Sequence, residues 1–351
     1  VSETYDKLIE DVMSKKIFDR VQVLAKDWLG ASIVAGIIEA GEDKPNILIS
    51  AGAHGDEAAG VHAAVKIAES LPVSANLYVV LCRDPTGNNP LSLTLSKMFE
   101  IKAEISGPED IHALVSEYGE HLETKSLRIG VFRNVCVVYP RGAAELETLE
   151  ISEELEKELK LSEELREVLD RKRILVPLCK ERPGTPPYSK VRTFYAVGDK
   201  LVCYDYFGEE NDLPEVLAMK KFLNKIKPIL TLDLHEGPSG KFCVIVPGAA
   251  DEAYSDVVFT TIQQVEKHAA ECLSAEEIKK VMIDHGLSVS KTLGKGIGVI
   301  ERRENLVTLA REYGVSLMLW TGFYEDFEKR VETLIVAAHS AAYIFAALHG
   351  L

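Results

Sequence analysis

The chain has 351 residues, enough to bury a large core as one big α/β domain or two smaller ones. Its composition, 46% hydrophobic and 27% charged, is that of a globular protein. The net charge of −15 argues against nucleic acid or an anionic membrane as a partner, because both repel a polyanion. The six cysteines form no Cys-x-x-Cys pair and sit in apolar runs such as Val80-Leu81-Cys82. They read as small buried side chains of a reducing, cytoplasmic compartment rather than a disulfide framework. The stretch Val1–Asp6 has no basic region leading into an apolar one, so no signal peptide is expected.

In chain order, a helix is expected over 3–15, then strands at Arg20–Ala25 and Ser32–Ala40. Asn46–Gly52 is a short apolar run bounded by Pro45 and Gly55, the pattern of a buried strand. Glu57–Ser70 sets Ala58, Val61, Val65 and Ala68 at helical spacing, and Asn76–Cys82 is the next strand. This strand–helix–strand rhythm is the α/β signal. It breaks over 92–190, where strand signals weaken and a charged run from Ala143 to Arg173 predicts one or two exposed amphipathic helices. Residues 92–190 are therefore expected to form a charged, mainly helical insertion in a domain made of 1–91 and 191–351.

The rhythm resumes with a helix capped by Asp212, carrying Pro214 in its first turn and ending before Pro228. Strands follow at Ile229–His235 and Phe242–Pro247, helices at Asp251–Leu273 and Ala275–His285, and a late strand at Ser316–Thr321. The closing helix, Glu325–His349, includes an apolar stretch long enough to span a bilayer. Glu332, His339 and Ser340 interrupt it, so it reads as a helix packed on a sheet.

Three residues carry the chemistry. His54 emerges from the end of one buried strand, and Glu57 follows three residues later in the first turn of a helix, with Gly55 permitting an unusual turn between them. His235 ends a second buried strand, the same sheet edge at which ligands bind in open α/β folds. Two histidines and a glutamate form the usual three-ligand set of a catalytic zinc ion that leaves one position open. A pair of structural histidines without metal is the alternative reading of these residues.

The split pair His54-Gly55-Asp56-Glu57 and Asp233-Leu234-His235 resembles the zinc carboxypeptidase superfamily, including its succinylglutamate desuccinylase/aspartoacylase-like branch. The opening strands through Ser50-Ala51-Gly52-Ala53-His54, and Pro214-Glu215 with Pro228 ahead of the Asp-Leu-His strand, fit the same pattern. The resemblance covers about 20–90 and 200–349. It implies a mixed, mainly parallel eight-stranded sheet flanked by helices, with zinc held by His54, Glu57 and His235. It further implies that Asp205 orients the first zinc histidine, although a plain loop aspartate fits the residues too.

Two departures stand against these matches. Where the family carries an Asn-Arg pair for the substrate carboxylate, this chain has Tyr206-Phe207-Gly208, leaving Arg83 or Arg192 as substitutes, or else a substrate without a terminal carboxylate. Where the family ends its late strand with a general-base Glu, this chain has Trp320, which would line the substrate site and cannot take a proton. Glu325 is the preferred replacement base. Glu236 is the second candidate, although in an extended run it faces away from His235, and Glu301 is the third. The expected function is zinc-dependent hydrolysis of an amide bond in a peptide or N-acyl amino acid. The alternative is a zinc-binding protein of the same fold without turnover.

Overall fold

The computed structural model describes residues 4–72, 74–142, 145–248, 252–284, 289–301 and 304–351. The expected helix starts at 3 and Asp251, the end at His285 and the start of the charged run at Ala143 lie outside the described residues. The first part of the chain runs α1 (Tyr5–Lys15), β1 (Arg20–Lys26), β2 (Ser32–Ile38), β3 (Asn46–Ser50), α2 (Ala58–Ser70) and β4 (Asn76–Val80). Thr4 caps α1 by accepting from the Lys7 amide, and Lys16 ends it in the left-handed conformation.

The middle continues with α3 (Leu91–Phe99), α4 (Pro108–Tyr118), β5 (Glu120–Glu123), β6 (Leu127–Phe132), β7 (Val135–Pro140), α5 (Thr148–Leu161) and α6 (Glu163–Leu169). It closes with β8 (Arg173–Pro177), β9 (Val191–Val197) and β10 (Lys200–Val202). The last part holds α7 (Pro214–Ile226), β11 (Leu230–Gly237), β12 (Cys243–Pro247), α8 (Glu252–His268), α9 (Ala275–Asp284), β13 (Val289–Gly294) and β14 (Ile297–Ile300). It ends with α10 (Leu306–Ala310), β15 (Val315–Gly322) and α11 (Phe327–His349).

Among the described residues the main sheet has nine strands in the order β1-β2-β4-β3-β11-β15-β12-β14-β13. Its centre, β4-β3-β11-β15, is parallel. Buried on both faces, these strands read as near-continuous apolar runs, as in Ile47-Leu48-Ile49. The pairs β1/β2, β2/β4, β12/β15 and β13/β14 are antiparallel. The sheet is thus mixed and larger than the expected mainly parallel eight strands. The helix α11 buries Val331, Leu334, Ala337, Ala338, Ala341, Ala342 and Phe345 in the core that also holds Ala63, Ile67 and Val258, the packing of a core helix.

Among the described residues the expected insertion holds four helices, but they pack on a second sheet and make it an α/β layer. Its sheet, β10-β9-β8-β7-β6-β5, runs to Val202, beyond the expected boundary at 190. Alternation along its strands divides their side chains between two cores. One face sets Ile129, Val138 and Ile174 against Ile151 and Leu155 of α5. The other sets Val135, Val137 and Leu175 against Leu95 of α3 and Ile111 and Val115 of α4. The charged α5–α6 segment that dominates the composition covers only one face of this sheet.

Buried ion pairs join the two layers. Arg182 reaches Asp56 Oδ2 (2.9 Å) and Glu147 Oε2 (2.8 Å), and Arg192 of β9 reaches Asp56 Oδ1 (2.7 Å). Burial alone would raise the Asp56 pKa, but Arg192 and Arg182 outweigh it and hold it at about 2, below the ordinary 3.8. A depressed carboxylate pKa contributes stability above the unfolded value that is lost as the pH falls through the folded one. At 1.36 kcal/mol per unit, about 2 kcal/mol should be lost between roughly pH 4 and pH 2. Urea unfolding across that range should show the loss, and Asp56→Asn should flatten it.

Candidate metal centre

The parallel register explains how distant residues meet. β3 and β11 are neighbours, Ser50 pairing with Asp233, so the turn after β3 and the end of β11 leave the same edge of the sheet. His54 Nδ1 lies 2.7 Å from Glu57 Oε1, and His235 Nδ1 lies 3.0 Å from Glu57 Oε2. The three donor atoms fall within 4.8 Å of one another, and Glu57 and His235 are buried. The turn depends on two glycines for different reasons. Gly52 takes the left-handed conformation (φ 59°). Gly55, expected to supply an unusual turn, is instead required by close approach: a Cβ there would stand 2.2 Å from Gly87 C and 2.4 Å from Val191 O.

Burial is the strongest influence on His54 and opposes a positive charge, yet Glu57 and Cys203 together outweigh it and raise the pKa to about 9. His235 is likewise raised against burial, by Asp233 and Glu57, while Glu57 is held well below the usual carboxylate range by the two histidines. This is a site built for positive charge. Glu57 Oε2 is buried without an aligned hydrogen-bond donor, although His235 Nδ1 is close. Two imidazole nitrogens facing one carboxylate with an orphaned oxygen fit a zinc ion, whose preferred donors they are.

The supports of the site differ from expectation. Asp205 turns its carboxylate to Arg83 (3.1 Å), and Arg83 in turn grips both oxygens of Asp233 (2.8 Å each). Asp233 Oδ2 lies 3.0 Å from His235 Nε2. Asp233, two residues before His235 on the same face of β11, therefore holds the His235 ring and leaves Nδ1 toward Glu57. Besides Glu57, the Cys203 thiol lies within hydrogen-bonding reach of His54. Asp84 was not singled out in the sequence. It accepts from the amides of Gly55 (3.2 Å), Gly87 (2.9 Å) and Thr193 (3.2 Å), pinning the His54 turn to β9.

The proposed substrate arginines are both committed. Arg83 is enclosed by Asp205 and Asp233, and Arg192 divides its donors between Asp56 and Glu57 Oε1 (3.0 Å). The proposed bases do not face the triad freely either. Glu325 lines a separate groove with Lys241 and Lys280 and pairs with Lys329 at 2.8 Å. Glu236 lies in the cleft lining, but its carboxylate accepts from the Ala59 amide at the start of α2 (2.8 Å) and from Arg330. That partnership follows from the strand alternation that turns Glu236 away from His235.

Trp320 stands level with His235 on the adjacent β15 and lines the same cleft of about 560 Å³. Its indole lies over Gly237: a Cβ on Gly237 would come 1.5 Å from Trp320 Nε1. Gly237→Ala should therefore displace the indole and destabilise the fold by about 1–3 kcal/mol, the usual cost of overpacking. Denaturant midpoints of the two single variants and the double variant check this, because Gly237→Ala should cost less on the Trp320→Ala background than in the wild type.

No protein-family model matches the chain, and no curated protein does. Solved structures do. Thrombin-activatable fibrinolysis inhibitor aligns with a TM-score of 0.50 at 10% identity, covering 99% of this chain and 78% of that one. A protein from Shewanella amazonensis, provisionally named a metallopeptidase, gives 0.48 at 12% identity over 98% and 91%. Carboxypeptidase A from Helicoverpa armigera gives 0.46 at 10% over 97% and 74%. The fold is carboxypeptidase-like, as the sequence resemblance implied.

Proposed function

We propose that the protein is a zinc-dependent hydrolase acting on an amide bond of a peptide or N-acyl amino acid. The observation that carries this reading is the convergence of His54 Nδ1 and His235 Nδ1 on the two oxygens of Glu57 at the edge of a 560 Å³ cleft. Zinc bound by these three residues would polarise a substrate carbonyl and acidify a water. The chain's own residues supply the rest. Asp233 fixes the His235 ring and Arg83 holds Asp233 in place. Asp84 anchors the turn that carries His54. Trp320 and Met318 keep the wall beside His235 apolar and narrow its access to water. The six cysteines are free and buried, which supports a reducing compartment.

A second reading, zinc-dependent recognition without turnover, is favoured by one feature: the position level with His235 holds an indole where a base would stand. Two measurements decide. Metal-restored protein should contain one zinc per chain, and a stoichiometry near zero would sink both readings. With zinc bound, turnover of any member of an amide and N-acyl panel supports the hydrolase, whereas binding without turnover supports recognition.

A further inference from the structure

A carboxylate buried in a cleft needs a cation whose charge is not already satisfied. Arg192, the guanidinium on the wall of this cleft, is neutralised from both sides by Asp56 (2.7 Å) and Glu57 (3.0 Å). Arg83 and Arg330, behind the wall, are held by Asp233 and Glu236. The two lysines of the lining, Lys160 and Lys200, lie in its solvent-exposed part, where Glu153, Glu156 and Asp199 contribute the opposite charge. Beside these paired polar groups, the buried lining carries four apolar side chains, Trp320, Met318, Phe194 and Val202, each less than a tenth exposed.

We infer that the cleft selects an uncharged amide whose flanking group is apolar and packs beside Trp320, and that it rejects substrates with a carboxylate next to the scissile bond. The inference rests on the zinc-site reading above and narrows its substrate class. An apolar group gains from contact with the indole and with Phe194. A carboxylate would be stripped of water with no free guanidinium among the described lining residues to replace it.

The test is calorimetric titration of zinc-loaded protein with two hydroxamates that share the zinc-binding head. One, 4-phenylbutanohydroxamic acid, ends in a phenyl ring; the other, succinic acid monohydroxamate, ends in a carboxylate. The phenyl probe should bind at least tenfold more tightly, and Trp320→Ala should remove most of that margin. Phe194→Leu, a milder change elsewhere in the lining, should narrow it if the Trp320 variant does not fold. Equal or tighter binding of the carboxylate probe overturns the inference while leaving the metal site intact. Absence of zinc uptake overturns the metal site and the inference together.

Discussion

Alanine in place of His54 or His235 is expected to weaken zinc binding several hundred-fold, while the protein stays folded. Structural zinc sites with four ligands bind with about 10–16 kcal/mol, so one ligand is worth about 3–4 kcal/mol, or roughly two to three decades. Asp233→Asn should cost less, about 10–100-fold, because it loosens the orientation of His235 without removing a donor. The variants separate a zinc site from a structural histidine pair. Either histidine can leave while Arg192 still neutralises Glu57 and Arg83 still holds Asp233. Chelator competition gives the affinities, and circular dichroism of the metal-free variants checks the fold. Wild-type affinity in both histidine variants would place the metal elsewhere.

What the sequence disclosed follows the strength of each physical signal. The triad was legible because its residues end buried apolar strands, and strand ends of a parallel sheet converge on one edge. The second sheet was less legible. Its strands β6 and β7 are apolar and meet at a tight turn through Arg133, which takes a positive φ. They were overshadowed by the acidic run that became α5 and α6, a covering layer whose exposed face is what composition reports. The partner of His235 was written beside it, since residues two apart on a strand share a face. Asp205 was assigned to His54 by likeness alone. A sequence carries no sign that Arg83, some 120 residues earlier, would claim its carboxylate. Buried ion pairs of this kind join residues that no local pattern relates. For the same reason the free arginine expected for a substrate carboxylate is not found among the described lining of the cleft.

Trp320→Glu should raise amide hydrolysis by about 10²–10⁴, the usual contribution of a positioned general base. The position is suited to that role because β11 and β15 run parallel with His235 and Trp320 level, and both residues line the cleft. The gain has a structural cost. Trp320 packs with Cys243, Ile245 and Met318, and removing a large buried aromatic costs about 3–5 kcal/mol. The midpoint of thermal unfolding should fall accordingly. Trp320→Gln separates the two effects: it opens the same space and loses the same packing, but an amide cannot accept the proton. Zinc-loaded wild type, Trp320→Glu and Trp320→Gln assayed on N-acetylphenylalaninamide, followed by ammonia release, therefore isolate the carboxylate. A rise in the Glu variant alone assigns the slow step to proton removal. An equal rise in both variants would mean that the indole acts only by blocking the cleft. No rise in either would leave Glu236, freed from Arg330, as the other candidate base in the cleft lining. Arg330→Met would then be the variant that should raise the rate.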